Sequence, residues 1–316
     1  MTDAQLEHKS VLLDEVLGFL ELESGSVVID ATLGLGGHSE AILQISDSTL
    51  VIGIDQDAKA LLLSGRRLST FGSRFRGVHS NFADIAQVAK DASLASVDAI
   101  IADLGVSSMQ LDDASRGFSF RSDAPLDMRM DLASGRETAA DLLATLDEEE
   151  IANLIYKYGE ERKSRRVARL IVEAREKGQP VRTTGQLAEL VEKAVGRARK
   201  DKIHPATRTF QALRIAVNDE LGILHTFIQD SVDLLQLEGT LCIITFHSLE
   251  DRIVKQAFQK LSGKCFCPPR IPRCVCGAEK RVEILTRKPV LPTEAEMNSN
   301  PRSRSAKLRV CRKIAH

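Results

Sequence analysis

The chain has 316 residues, 43% hydrophobic and 28% charged, with a formal net charge of −1. These values suit a globular protein of one large or two ordinary domains and exclude a disordered or collagen-like chain. No apolar run approaches the ~20 residues that a bilayer span needs, and Met1 to Gln5 lack the basic-then-apolar order of a signal peptide. A cytoplasmic protein with no membrane association is expected.

In chain order, a β-branched run at 27–31 contains Asp30 and reads as a buried strand. A glycine-rich turn, Gly34-Leu35-Gly36-Gly37, then opens a helix at His38-Ser39-Glu40. A second run, 50–54, ends at Asp55, and a helix is predicted over 58–68. Further strands are expected at 75–79 and 97–102, at spacings suited to βαβ units. The next strand, 239–246, follows after about 135 residues, far more than the dozen or so that a crossover needs. An inserted helical domain accounts for the gap. Within it, 140–158 places Leu142, Leu143, Leu146, Ile151, Leu154, Ile155 and Tyr158 at helical spacing, 161–177 forms a second helix, and Thr184 caps a third that runs to about Val195. Strands at 282–286 and 307–312 bring the total to seven. The expected architecture is a doubly wound, seven-stranded, Rossmann-like α/β domain, 1–110 plus 212–316, with an all-helical insert at 111–211.

Charge is unevenly spread. Residues 264–316 carry +9 and the remainder −10. A second basic segment holds Lys193, Arg197, Arg199, Lys200, Lys202, Arg208 and Arg214 against Asp201 alone. Arg162, Arg165, Arg166 and Arg169 form a stripe opposite the apolar face of the second insert helix. Such patches suit a polyanion, or simply a solvated face. Residues 112–131 mix Arg116, Phe118, Phe120 and Arg121 without periodicity, which fits either a loop that clamps a nucleotide or a packed surface loop. Cys265, Cys267, Cys274 and Cys276 form a C-x-C, six residues, C-x-C arrangement. One structural Zn²⁺, reduced thiols and disulfides all remain open for it.

The glycine turn departs from G-x-G-x-x-G, because Ser39 stands in the third position. That weakens a dinucleotide reading, although an NAD-type domain stays as the chemical alternative. S-adenosylmethionine has no pyrophosphate and carries positive charge at its methionyl end, which Asp30 can face. Asp55 suits the ribose hydroxyls, and Phe82 offers a ring for adenine or for core packing. Polar groups from Asp103 to Gln110 follow the fourth strand, where ligands bind in open parallel sheets.

Several segments together resemble one family: ATLGLGGHSEAIL at 31–43, DLGVSSMQLDDASRGFSF at 103–120, PLDMRMD at 125–131, HPATRTFQALRIAVNDEL at 204–221, FHSLEDRIVK at 246–255 and NPRSRSAKLRV at 300–310. The chain is similar, from about residue 8 to 312, to the bacterial small-subunit ribosomal RNA (cytosine-N4) methyltransferases of the MraW or RsmH type. The resemblance implies methylation, by S-adenosylmethionine, of the exocyclic amine of a cytidine in the decoding region of 16S RNA. It places cofactor contacts on Gly36, Gly37, His38, Asp55, Phe82, Asp103 and Gln110, and Gly34 of the same turn is a further candidate. Met109 stands where the family usually has proline, and Ala124 where glycine is usual.

Transfer from a sulfonium is an in-line displacement that needs no metal. Acceptors aimed at the cytosine amine would aid it, and Asp103, Ser107 and Ser108 are the candidates. The base has to be single-stranded or flipped out. Arg116, Arg166, Arg208, Arg302 and Arg304, together with Arg309, are candidate RNA contacts, with the small ribosomal subunit as partner. His247 and Ser248 either line the acceptor site or are structural. A non-catalytic RNA-binding or assembly factor is the other class of reading, and monomer and homodimer are both compatible with the sequence.

Overall fold

Among the residues described by this computed structural model (9–196, 204–268 and 275–315), seven strands form: β1 Val27–Asp30, β2 Leu50–Asp55, β3 Phe75–His79, β4 Val97–Asp103, β5 Leu235–Thr245, β6 Val282–Ile284 and β7 Lys307–Lys313. They make one sheet in the order β3-β2-β1-β4-β5-β7-β6. The pairs among β1 to β5 are parallel, and β7 runs antiparallel to β5 and β6. This is the doubly wound arrangement read from the sequence. The fifth strand begins at Leu235 rather than 239, across a register irregularity opposite Val97 and Ala99.

Both faces of the sheet are covered, which is why its strands read as unbroken apolar runs. On one face Ile29, Ile100, Ala102, Leu241 and Ile243 pack beneath Phe227, Val232, Val254 and Phe258. These come from the helices Leu224–Leu234 and Ser248–Leu261. On the other face Val28, Ala99, Ile101, Cys242 and Ile244 meet Val16, Leu20, Ile42 and Leu43. Those belong to the helices Leu13–Leu20 and Gly37–Leu43. Fully burying each such side chain contributes about 1.5–3 kcal/mol.

The chain divides into two units, residues 1–105 with 221–316, and residues 106–220. The helical unit is therefore wider than 111–211. Its C-terminal helix, Thr207–Asn218, buries Phe210, Leu213 and Val217 with Leu143, Ile151, Ile155, Val167, Ile171, Leu187 and Val191, so it cannot be separated from that core.

The periodicity over 140–158 covers two helices, Ala139–Thr145 and Glu148–Gly159. Asp147 breaks the run by capping the second. It accepts from the Glu150 N–H at 2.8 Å, while the Glu150 carboxylate accepts from the Asp147 N–H at 2.9 Å. Likewise Thr183, rather than Thr184, caps the helix Thr184–Val195, in a capping box with Gln186. No helix among the described residues is long and apolar enough to cross a membrane.

Candidate active site

The strand order reverses between β1 and β4, the point at which open α/β sheets bind ligands beyond their carboxyl ends. Three carboxylates stand there at the ends of β2, β1 and β4: Asp55, Asp30 and Asp103.

The loop after β1 is tied to this edge by hydrogen bonds. Gly34 N–H donates to Asp55 Oδ2 at 2.7 Å, and Asp57 N–H donates to Asp55 Oδ1 at 2.8 Å. Ser39 Oγ donates to Asp30 Oδ2 at 2.7 Å, and Thr32 N–H reaches Asp30 Oδ1 at 3.3 Å. Thr32 Oγ1 in turn accepts the Asp103 N–H at 2.6 Å, joining the loop to β4. Gly36 turns the chain at φ 77°, a left-handed conformation that suits glycine. At Gly37 a Cβ would overlap the Ser10 hydroxyl, which would have to shift to admit it.

The electrostatics follow from burial. Desolvation raises Asp30 and Asp55 from 3.8 to about 6, with their hydrogen bonds opposing it. Asp103 rises further, to about 8, through burial first and then the negative fields of Asp30 and Glu250. Its Oδ1 is buried and has no hydrogen-bond partner among the described residues. A buried acceptor of this kind calls for a donor or a cation.

A site so acidic opposes a pyrophosphate and favours a ligand with positive charge. S-adenosylmethionine, with its ammonium and sulfonium, fits in its charge: the Asp103 oxygen that has no partner among the described residues could accept from a cationic group.

The remaining candidates differ in what their side chains do. His38 is buried, and its Nε2 lies 3.0 Å from the Val11 carbonyl oxygen. Burial lowers its pKa to about 4, so the ring is neutral, with Nε2 taken up by the Val11 carbonyl. Phe82 is half-buried and packs edge-to-face on Phe227, with ring centroids 5.0 Å apart. Ser107, Ser108 and Gln110 belong to the helical unit. Ser107 caps the helix Ser108–Asp112, in a capping box with Gln110, and Ser108 is buried. His247 caps Ser248–Leu261 and sits 3.1 Å from Glu250 Oε1, which supports its structural reading.

Two arginine assignments are corrected. Arg116 is 4% exposed, and its guanidinium donates to the carbonyl oxygens of Arg129 and Met130 at 3.0 and 2.7 Å. It pins the 112–131 loop, whose Phe118, Leu126, Met128 and Met130 are also buried, so the loop is packed rather than an open clamp. Arg309 is 5% exposed and bonds Asp251 at 2.6 Å, so it is structural too. Arg166, Arg302 and Arg304 are exposed, as are Arg162, Arg165 and Arg169 of the stripe. Arg208 is 58% exposed at its side chain and lies 3.9 Å from Glu161. In the basic segment, Arg214 is held by Glu220 at 2.9 Å, and Arg197, Arg199, Lys200 and Lys202 lie outside the described residues. Cys265, Cys267 and Cys276 meet, whereas Cys274 lies outside the described residues.

Sequence reading missed Thr32 and Glu250. Thr32 directly precedes Leu33 and the glycine turn, and a hydroxyl there was the available signal. Glu250 is buried and accepts the N–H of Phe246 at 2.8 Å. Its place three residues after His247 is the signal of a capping box.

The family model described as "MraW methylase family" matches residues 5–314. A "Ribosomal RNA small subunit methyltransferase H" from Brevibacillus brevis is 48% identical over 316 residues, covering 99% of this chain and 100% of that protein. A protein of the same name from Geobacter sp. is 50% identical over 309 residues, covering 97% and 98%. The carboxylate-lined switch point and this full-length match agree: the chain belongs to the MraW methylase family.

Proposed function

We infer that the protein transfers a methyl group from S-adenosylmethionine to small-subunit ribosomal RNA, with the N4 amine of a cytidine in the decoding region of 16S RNA as acceptor. The observation that supports this best is the orphaned Asp103 carboxylate beside Asp30, where the strand order reverses. S-adenosylmethionine, when bound, supplies a methyl carbon made electrophilic by its cationic sulfur. Asp55, fixed by two backbone N–H groups, would hold the ribose hydroxyls. Asp30 and Asp103 would hold the cationic end, and Phe82 would border the adenine.

The cytosine amine is a weak nucleophile, because its lone pair is delocalised into the ring. A carboxylate oxygen accepting one of its N–H bonds would let the nitrogen pyramidalise. Held as a carboxylate by the bound cation, Asp103 would also be able to take the proton that the methylated amine sheds. Of the three catalytic candidates, its free oxygen favours Asp103. The exposed arginines of the helical unit and of 302–304 would meet RNA phosphates.

The test is methyl transfer from tritiated donor to small subunits taken from cells that lack the enzyme. Label recovered as N4-methylcytidine in 16S RNA is expected, and Asp55→Ala should abolish donor binding. Donor binding without transfer to RNA would overturn catalysis in favour of an assembly role.

A further inference from the structure

Between the helix Ser248–Leu261 and β6 the chain runs through residues 262–281, and no helix or strand forms among the described ones. The ends of this segment are closed: Ser262 bridges Lys280, and the Arg281 N–H donates to the Leu261 carbonyl at 2.8 Å. Among its described residues the large apolar side chains are exposed, Phe266 at 45% and Val275 at 77%. A loop of this length gains from some other constraint to hold one shape.

Three thiols converge inside it. The sulfurs of Cys265, Cys267 and Cys276 all lie within 4.8 Å of one another, and Cys276 Sγ is 3.7 Å from Cys265 Sγ. A disulfide would hold the sulfurs about 2.05 Å apart. Tetrahedral coordination with metal–sulfur bonds of about 2.3 Å puts neighbouring sulfurs about 3.8 Å apart.

Each sulfur also receives a backbone N–H. Cys267 N–H points at Cys265 Sγ (3.4 Å), Val275 N–H at Cys267 Sγ (3.3 Å) and Phe266 N–H at Cys276 Sγ (3.5 Å). Two of these bonds cross from one arm of the loop to the sulfur of the other. Donors aimed at sulfur stabilise the thiolate form and fix its direction, as the surroundings of metal ligands do.

We propose that Cys265, Cys267 and Cys276 bind one structural Zn²⁺ that ties the two arms of this loop together. An all-sulfur donor set excludes Ca²⁺ and Mg²⁺ and selects a soft, tetrahedral metal. The three thiolates leave one tetrahedral position. The sequence holds one more thiol in this stretch, Cys274, which lies outside the described residues and carries no part of the geometry. The metal supplies a constraint that the exposed Phe266 and Val275 do not. It has no role in the transfer, so this site stands or fails independently of the activity proposed above.

The experiment is metal analysis of the untagged full chain, purified under reducing conditions without chelator. About one zinc per chain is expected, released when a mercurial caps the thiols. Cobalt exchange should give the thiolate charge-transfer and d–d bands of a tetrahedral sulfur site. Cys265→Ser or Cys276→Ser should lower occupancy by at least about tenfold, while binding of S-adenosylhomocysteine persists and shows that the sheet is folded. Far-substoichiometric zinc with no thiolate–cobalt bands would overturn the proposal. So would the visible absorbance of an iron–sulfur cluster in the isolated protein, or a Cys265–Cys276 disulfide found by mass spectrometry.

Discussion

Asp103 is the residue on which the reading can be tested most directly. In the cofactor-free protein its carboxyl titrates at about 8, against an ordinary 3.8. A cation beside it requires the carboxylate, so below pH 8 binding has to expel a proton. Donor affinity should therefore rise as pH increases from about 6 to about 8 and level off above that. Stability of the free protein runs the other way. The folded state keeps a proton that the unfolded chain gives up, so the Asp103 contribution is complete below about pH 4 and is lost as pH rises through about 8. Asp103→Asn should flatten both profiles and weaken donor binding by about 10–100-fold, the range for a buried hydrogen bond to a charged group. Calorimetric titration and thermal melts between pH 6 and 9 check both, and parallel profiles for the two proteins would refute the assignment.

The role of Asp103 as an acidic strand end was legible in the sequence, because an apolar run that stops at an acid marks the ligand side of a sheet. Its orphaned oxygen was not, because that depends on Thr32 and Glu250 coming to the same edge from distant parts of the chain. Arg116 shows the same limit. An arginine among aromatics reads as a nucleic-acid contact until the carbonyls of Arg129 and Met130 are seen to close over it.

At the scale of the element, the glycine turn and the helix after it work as one part. Gly37→Ala would drive a methyl group into the Ser10 hydroxyl, an overpacking of about 1–3 kcal/mol, and push the turn toward the donor. We expect a lower melting temperature and lost affinity for S-adenosylhomocysteine, with both largely restored in Ser10→Gly/Gly37→Ala. Unchanged affinity in the single variant would show that the turn does not form the donor site. Element positions were mostly readable, since β-branched runs and 3.6-residue spacing survive in any context. The break between Thr145 and Glu148 was hidden, because the apolar spacing passes through it and only the Asp147 cap interrupts the helix.

For the molecule as a whole, the arginines fall into two groups with different expected phenotypes. Arg165 and Arg166 are exposed, and replacing both with alanine should reduce the salt dependence of RNA binding by about one unit of slope per lost phosphate contact. Arg309 is paired with Asp251, which Lys307 also approaches at 3.6 Å. Arg309→Ala should cost up to about 3–5 kcal/mol of stability and leave the salt slope of the folded protein unchanged. Filter binding across a salt series, with urea melts alongside, separates the two. The insert was readable from the long gap between the fourth and fifth strand runs, whereas this sorting of cations was not, because Arg309 and Asp251 are 58 positions apart.

The parallel pairing of β4 with β5 has a consequence for biosynthesis. β4 ends at Asp103, and its neighbour does not start until Leu235. At a translation rate of about 5–20 residues per second, the apolar margin of β4 waits on the order of ten seconds for its mate. Throughout that interval a nascent half-sheet presents unpaired amides to the crowded exit of the ribosome, which makes it a natural client for chaperones.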